Sequence, residues 1–326
     1  MLIDSYDRII NYLRVSVTDR CNLRCIYCMP QEGIEWKPHE NILTFEEILR
    51  IIKIMAELGV KNIKVTGGEP LLRKGTLPFL KELKNIPKIE NITLTTNGIL
   101  LGEYLEKIEK LDYEFLPNGI NISIDSLNSE RYKKITRYEN IDPLMIISNI
   151  ERLLKLNIKV KINCVPIKSI NEKDIIPLVS LAKDKNITIR FIELMPIKYA
   201  KNYKAIPGTD TAALIEQTFG ILTPFSASLG NGPAIYYSLP GFSGKVGFIN
   251  PMTQCFCKTC NRLRLTSEGF LKLCLSGNLG LDLRKMMRES VSDSEISKAV
   301  TEIVKQKPLS HSFKNQSLHG MSEIGG

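Results

Sequence analysis

The chain has 326 residues, of which 43% are hydrophobic and 24% are charged, and its formal net charge is +9. This length and composition exclude a disordered or fibrous chain, and they allow one large domain with a smaller one beside it. No apolar run approaches the roughly 18 residues of a membrane-spanning helix, and residues 1–8 lack a signal peptide's apolar core, so we expect a cytoplasmic protein without membrane contact.

The first 200 residues predict strands that alternate with helices. Thr44 is the expected N-cap of the first helix, with Glu47 as its capping-box partner, and Gly59 is expected to close that helix. The predicted strands cover 12–17, 62–66, 91–95, 119–124, 158–165 and 187–194. The predicted helices cover 44–58, 77–83, 102–111, 142–156 and 174–184.

Six strands joined by helices or long connections predict parallel pairing through right-handed crossovers. The fold class is therefore α/β, with an incomplete (βα)6 TIM-like barrel and a smaller C-terminal α+β region. Residues 199–211 look like a linker, and we expect a domain over 1–215 and a C-terminal region over 216–326. Residues 224–247 are rich in Gly, Pro and Ser, and 246–249 is predicted as a short strand.

Polar residues fall where the predicted strands end, which is where such barrels place their chemistry. A loop with three cysteines follows the first strand, and the turn Gly67-Gly68-Glu69-Pro70 follows the second. Glycine lets a ligand approach the backbone closely, although this turn alone is more often structural. The other strand-end residues are Thr95, Thr96, Asn97, Gly98, Ser123, Asp125, Lys161, Asn163, Glu193 and Met195.

Seven of the eight cysteines form two tight groups, which indicates metal ligation and not a disulfide framework. In the first group, Cys21, Cys25 and Cys28 are spaced to hold three irons of a cubane cluster and leave the fourth iron open. A zinc knuckle, or chance spacing, is the alternative. Cys164 stands alone in an apolar run and is expected to be buried.

The second group contains Cys257, Cys260 and Cys274, and it suits either a three-thiolate cluster or part of a zinc site with Cys255 as fourth ligand. Arg262 and Arg264 share one face of an extended segment, where they would suit a phosphate-bearing or guanine-bearing ligand, or form an ordinary solvated face. The basic chain favours anionic partners. It has no Lys/Arg tract interleaved with aromatics, so we expect no nucleic acid.

The CxxxCxxC spacing of the first group, followed by the GGEP turn, resembles radical S-adenosylmethionine (SAM) enzymes. The second group with Asn261-Arg262-Leu263-Arg264-Leu265 and the terminal Gly325-Gly326 is similar to one family among them, the GTP 3′,8-cyclases of molybdenum cofactor biosynthesis. This resemblance runs nearly end to end, from the segment 14–21 to the terminal Gly-Gly. It implies a radical SAM barrel, SAM as cofactor and two [4Fe–4S] clusters.

The resemblance also implies roles for individual residues. Catalytic roles fall to Cys21, Cys25, Cys28, Arg262 and Arg264. The first cluster would be bound by Cys21, Cys25 and Cys28, and the second by Cys257, Cys260 and Cys274. Contacts to SAM would come from Tyr27, Gly68, Glu69, Ser123 and Met195. Contacts to GTP would come from Arg14, Lys64, Thr95, Lys161, Arg190, Arg262, Leu263, Arg264, Gly325 and Gly326.

The implied reaction is that of a lyase, which converts GTP to (8S)-3′,8-cyclo-7,8-dihydroguanosine 5′-triphosphate. An electron donor such as flavodoxin or ferredoxin and the next, pyranopterin-forming enzyme are implied as partners, and a homodimer is left open. The chain departs from the family pattern at Asn62, Lys64 and Cys255. Two other readings remain: another radical SAM enzyme with an auxiliary cluster, such as a peptide-modifying maturase, and a non-enzymatic, zinc-stabilised binding module.

Overall fold

Six consecutive strands pair in parallel and in the order of the sequence. The fold is taken from a computed structural model, which describes residues 1–110, 116–311, 320–321 and 324–325. These strands lie within one residue of the predicted ends, or two at the carboxyl end of the sixth. They are β1 (Tyr12–Ser16), β2 (Asn62–Thr66), β3 (Asn91–Thr96), β4 (Gly119–Ser123), β5 (Lys159–Cys164) and β6 (Thr188–Ile192).

Helices follow the strands, as the alternating pattern predicts. In the first of them, Thr44 and Glu47 form the predicted capping box, and Gly59 follows the helix with φ of 105°. Its buried residues Ile48, Ile51, Ile52 and Met55 recur every three or four positions, so one face packs on the sheet. The helices are α1 (Phe45–Glu57), α2 (Thr76–Lys84), α3 (Leu101–Glu109), α4 (Ser129–Thr136), α5 (Pro143–Lys155) and α6 (Ile175–Ser180).

The C-terminal region extends this sheet at both edges. One strand pairs in parallel with β6 and another with β1, and antiparallel strands continue outward from each. The added strands are β7 (Thr223–Phe225), β8 (Ile235–Ser238), β9 (Lys245–Ile249), β10 (Arg262–Leu265), β11 (Phe270–Lys272) and β12 (Gly280–Asp282). Over the described residues the sheet has twelve strands in the order β12-β11-β10-β1-β2-β3-β4-β5-β6-β9-β8-β7.

Several elements differ from the prediction. Helix α4 was not expected, because its eight residues are mostly polar and bury only Tyr132, Ile135 and Thr136. Residues 199–211 are not a simple linker, since they contain a 3₁₀ turn and the start of α7 (Gly208–Phe219). Helices α8 (Leu283–Arg288) and α9 (Asp293–Val304) were also not predicted. The expected boundary at 215/216 falls inside α7, and the division into two domains stays a prediction.

Alternation along the strands creates an inner face that is polar and an outer face that is apolar. In β10, Arg262 and Arg264 are half-buried, whereas Leu263 and Leu265 belong to the apolar core. Strands β3 and β5 alternate in the same way, so Thr95 lies on the less buried face of its strand. None of the helices in the described ranges combines the length and apolar character that crossing a membrane requires.

Candidate active site

Both cysteine groups line a single cavity of about 340 Å³ at the carboxyl ends of the parallel strands. The first group lies on the loop after β1, and the second lies on the segments before β10 and after β11. The two triplets are therefore neighbours across one space and do not lie on opposite surfaces. The cavity's cysteines are Cys21, Cys25, Cys28, Cys257, Cys260 and Cys274.

The Gly67-Gly68-Glu69 turn is fastened to the start of the first cysteine loop. The Gly68 amide donates to the Thr18 carbonyl at 2.7 Å, and the Glu69 amide donates to the Arg20 carbonyl at 2.7 Å. A Cβ on Gly68 would lie 2.3 Å from that Arg20 carbonyl oxygen, so only glycine permits this approach. The turn thus sets the position of the backbone that leads into Cys21.

The Glu69 carboxylate points into the protein and joins the ends of two strands. It accepts hydrogen bonds from the Leu71 amide at 3.0 Å, the Thr96 hydroxyl at 2.8 Å and the Asn97 amide at 2.7 Å. Burial raises its pKa to about 7, against the effect of these donors. Because both oxygens are engaged, a contact from Glu69 to a ligand in the cavity would come from its backbone.

Tyr27, between the second and third cysteines, is held by a buried aspartate. Its hydroxyl donates to Asp125 Oδ2 at 2.5 Å, and the other oxygen of Asp125 accepts from the Val165 amide at 2.8 Å. Burial raises the pKa of Asp125 to about 6. Ser123 and Met195, predicted as SAM contacts, line the same cavity as Tyr27.

The first three thiols need a cation before they can ionise together at neutral pH. Burial raises the pKa of Cys21 to about 11. Burial, followed by the nearby Cys28 and Cys21, raises the pKa of Cys25 well above its usual value. Bound iron would supply the missing positive charge, since a coordinating thiol is deprotonated by its metal. This donor set fits an iron–sulfur cluster.

Spacing also separates the predicted cluster sites from a mononuclear site. In tetrahedral zinc sites the sulfurs lie about 3.8 Å apart, because each Zn–S bond is about 2.3 Å. Among the described residues, the group whose ligand atoms all lie within 4.8 Å of one another is Cys255, Cys257 and His311. Neither predicted triplet forms such a compact group. Their sulfurs are spaced more widely than in a mononuclear site, and this suits thiolates that bind different irons of one cluster.

Basic side chains from five strands meet on the inner face of the sheet. Arg14 of β1 lies opposite Lys64 of β2 and Arg264 of β10 in the strand register. Burial, then Arg190 and Arg14, lowers the pKa of Lys64 well below its usual value. Burial, then Arg190, lowers that of Lys161 to about 8. Each cation destabilises the charge of the others, and a polyanion in the cavity would relieve this.

Polar partners fix several of these cations. Arg190 donates to Asn163 at 2.9 Å and to Asn121 at 2.5 Å. Lys161 donates to the Leu229 carbonyl. Lys161 is absent from the cavity lining, whereas the other predicted basic contacts and Thr95 are part of it.

Among the predicted GTP contacts, Leu263 turns its side chain away from the cavity and Gly326 is not described. The Leu263 side chain is fully buried on the opposite face of β10. Only its backbone could therefore face a ligand. Gly325 contacts a residue of the cavity lining, because its carbonyl accepts from Arg264 Nη1 at 3.0 Å. Gly326 lies outside the described residues.

Some cavity residues were not assigned a role from the sequence. Asn97 donates to Asn22 at 2.8 Å and lies 4.0 Å from the Cys21 sulfur, and its place in the strand-end segment 95–98 was the available signal. Lys307 donates to the Arg262 carbonyl at 2.9 Å and also to the Leu273 carbonyl. Lys307 and His311 line the cavity from a segment that carries no recognisable motif.

Comparison with known proteins agrees with this geometry. Residues 15–182 match the radical SAM superfamily, and residues 187–313 match the family described as Molybdenum Cofactor Synthesis C. The GTP 3′,8-cyclase of Clostridium perfringens strain 13 is 42% identical over 327 residues, which is 99% of each chain. That of Desulforamulus reducens is 39% identical over 331 residues, covering 100% of both. The chain belongs to the GTP 3′,8-cyclase family.

Membership of the GTP 3′,8-cyclase family confirms the resemblance seen in the motifs and the prediction of an enzyme. It also sets aside the zinc-stabilised binding module. Because the family lies within the radical SAM superfamily, SAM and a [4Fe–4S] cluster are its cofactors. Among solved structures, Streptococcus suis SuiB bound to precursor peptide SuiA has a TM-score of 0.60 at 16% identity, covering 94% of this chain and 72% of that one. This similarity confirms the radical SAM fold.

Proposed function

We propose that the chain is a radical SAM GTP 3′,8-cyclase, a lyase that converts GTP to (8S)-3′,8-cyclo-7,8-dihydroguanosine 5′-triphosphate in the first step of molybdenum cofactor biosynthesis. The observation that carries this proposal is the single cavity, lined by two cysteine triplets and by arginines and lysines. Relatives about 40% identical over the full chain carry the name of this activity.

Cys21, Cys25 and Cys28 would hold the first cluster, which together with SAM supplies a 5′-deoxyadenosyl radical when bound. The chain's own part is to position SAM and to exclude water. The Gly68 backbone would contact the amino acid end of SAM. Tyr27, fixed by Asp125, would contact adenine, and the turn containing Glu69, with Ser123 and Met195, would complete the SAM site.

The second cysteine triplet would hold a second [4Fe–4S] cluster with one open iron for guanine. Two observations support this: Cys257, Cys260 and Cys274 line the same cavity as the first triplet, and they do not form a compact mononuclear group. Arg262 and Lys307 lower the pKa of Cys260 although burial works against them. Both cations would thus favour the thiolate that binds iron.

GTP would lie between the two cysteine groups with its triphosphate on the basic inner face. The lining residues Arg14, Lys64, Arg190 and Arg264 would neutralise phosphate charge, Lys161 would add its charge from outside the lining, and Arg262 would bridge toward the second cluster. Thr95 would add a hydroxyl contact, Leu263 a backbone contact, and Gly325-Gly326 would cover the substrate from the tail.

Other parts of this proposal extend beyond the site. We propose a cytoplasmic enzyme with a radical SAM domain over 1–215 and a C-terminal region over 216–326. The net charge of +9 suits docking of an acidic electron donor such as flavodoxin or ferredoxin. The product would pass to a pyranopterin-forming enzyme. A homodimer is compatible with this arrangement.

Anaerobic incubation with SAM, a reductant and [3′-²H]GTP tests the proposed reaction. The product is an isomer of GTP, because the hydrogen lost from C3′ is balanced by one proton and one electron gained at the base. We expect a nucleotide that has the mass of unlabelled GTP but a different chromatographic retention time. The deuterium should appear in the 5′-deoxyadenosine. The Cys25→Ala variant should yield neither compound. Formation of 5′-deoxyadenosine without deuterium, with GTP unchanged, would contradict the proposal.

A further inference from the structure

Cys255, Cys257 and His311 form a compact group beside the cavity. One ligand atom of each residue lies within 4.8 Å of those of the other two. Cys255 is exposed, whereas Cys257 and His311 are half-buried, so the group opens to solvent on one side. Cys255 has no part in either predicted cluster.

A hydrogen bond selects the tautomer of the neutral His311 ring. Its Nε2 lies 2.9 Å from the Pro251 carbonyl oxygen. A carbonyl can only accept, so Nε2 carries a proton, and in the neutral ring the lone pair is then on Nδ1. With Nδ1 as the metal ligand, a backbone carbonyl on Nε2 would be the usual second partner of a metal-bound histidine, which fixes both the tautomer and the ring orientation.

The two arms of the group are tied together by one buried arginine. Arg8 Nη1 donates to the Cys257 carbonyl at 2.7 Å and to the Leu309 carbonyl at 3.2 Å, and its Nη2 donates to the Pro308 carbonyl at 2.8 Å. Asp4 Oδ2 accepts from Nε of the same guanidinium at 2.6 Å. This clamp holds the segment leading to His311 next to the Cys257 loop without any metal, so the site is pre-organised.

We propose that Cys255, Cys257 and His311 form a mononuclear Zn²⁺ site. Two thiolates and one imidazole with a solvent-facing fourth position are a common zinc ligand set, and ligand atoms within 4.8 Å of one another are close enough for one ion to bind all three. Ca²⁺ and Mg²⁺ are excluded because they require oxygen ligands. The site is distinct from the proposed second cluster but shares Cys257 with it.

Sharing of Cys257 makes the two metal states mutually exclusive. Zn²⁺ held by Cys255, Cys257 and His311 removes one of the three thiolates that the proposed second cluster requires. The chain without clusters therefore has a zinc-bound form, in which Cys257 is protected and iron loading of the second site is blocked. This consequence rests on the proposed second cluster, whereas the zinc site itself does not.

Zinc binding can be measured on the full-length chain with Cys21, Cys25 and Cys28 replaced by serine, purified anaerobically without added iron. We expect one Zn²⁺ per chain in competition with a chromophoric chelator, and X-ray absorption showing two sulfurs and one imidazole. Cys255→Ser and His311→Gln should each weaken Zn²⁺ binding by more than roughly 100-fold. That is the upper end of the loss expected when only a residue hydrogen-bonded to a metal ligand is removed. Circular dichroism checks that each variant is folded.

Cys274→Ser is the matched control, since it removes a proposed cluster ligand and leaves the zinc group intact. It should bind Zn²⁺ like its parent. Binding that is lost with Cys274, or that persists without Cys255 or His311, would overturn the proposed site, as would the absence of zinc binding.

A second measurement tests the exclusion of iron. With all native cysteines present, prior zinc loading should reduce reconstitution from about eight irons to about four. Cys255→Ser should take up its full iron despite the zinc. If the parent chain takes up about four irons even without zinc, the second cluster is refuted while the zinc titration still decides the new site.

Discussion

Arg262 connects the second cysteine group with the interior of the cavity. It lowers the pKa of Cys260 against burial, and its guanidinium stacks on Phe256 with 4.9 Å between the guanidinium carbon and the ring centroid. Stacking fixes the plane of the guanidinium, so its hydrogen-bond donors have a defined direction. An arginine held in this way can serve a thiolate and a bound nucleotide, but it has no contact with the first cysteine loop among the described interactions.

Arg262→Ala should therefore separate the two halves of the reaction. We expect GTP cyclisation to fall by about 10²- to 10³-fold, the usual cost of one pre-organised electrostatic partner, while SAM cleavage without coupling persists. The measurement is the separate quantification of cyclised nucleotide and 5′-deoxyadenosine. Lys258→Ala, an exposed cation on the same loop, is the control and should leave both unchanged. Equal loss of both products in Arg262→Ala would count against this role.

Glu69 should make the stability of the protein depend on pH. Burial raises its pKa from the ordinary 4.5 to about 7, so the native state keeps a proton that the unfolded chain has released. The stability that this adds is complete below about pH 4.5 and is lost as the pH rises through 7, by roughly 3 kcal/mol in total. Denaturant unfolding between pH 5 and 8 should show a smaller decline in Glu69→Gln. The exposed Glu106→Gln should keep the wild-type slope, and equal slopes in all three proteins would contradict the expectation.

At the scale of elements, the turn after β2 determines where the first cysteine loop begins. Gly68→Ala places a methyl group 2.3 Å from the Arg20 carbonyl oxygen and 2.8 Å from that of Asp19. Both contacts are backbone, so the loop must shift. We expect SAM affinity to fall at least about tenfold, which corresponds to 1.4 kcal/mol. Equilibrium binding of SAM to reconstituted protein measures this. Gly277→Ala, where a Cβ meets nothing closer than 4.0 Å, should bind normally, and wild-type affinity in Gly68→Ala would refute the argument.

Elements governed by local pattern could be predicted from the sequence, whereas pairings between distant segments could not. The capping box of α1 and the bounds of β2 follow from side chains a few positions apart. Nothing local indicates that β10 pairs with β1 and β9 with β6, because these partners lie far apart in the chain. The ends of β1 to β6 also follow from local pattern, so the expectation that polar residues gather at strand ends located the cavity residues on these strands. It could not locate His311, which Arg8 brings to Cys257 through contacts across about 300 residues.

For the whole molecule, the inner face of the sheet is an interior with unbalanced positive charge. Lys64 and Arg190 form no ion pair with a carboxylate within the part of the chain that the structure describes. The two carboxylates of the cavity lining are engaged elsewhere, Asp125 with Tyr27 and Glu193 with the amides of Met252 and Thr253. Repulsion between these like charges lowers the free energy of unfolding, and a bound polyanion would offset this loss. Ligand binding and fold stability should therefore be coupled.

Lys64→Met tests this coupling in two opposite directions. Without ligand, the variant should be more stable than the parent by at least about 1 kcal/mol, because a half-buried cation repelled by Arg190 and Arg14 is removed. With GTP at 100 times the parent's Kd, the parent should gain about 2.7 kcal/mol and the variant much less, since its affinity for the triphosphate is lower. Guanosine should stabilise both proteins weakly and equally. Anaerobic thermal unfolding of the reconstituted proteins gives all of these values. A variant that is less stable without ligand, or that gains as much from GTP as the parent, would show that the cations of the sheet serve the fold and not a polyanion.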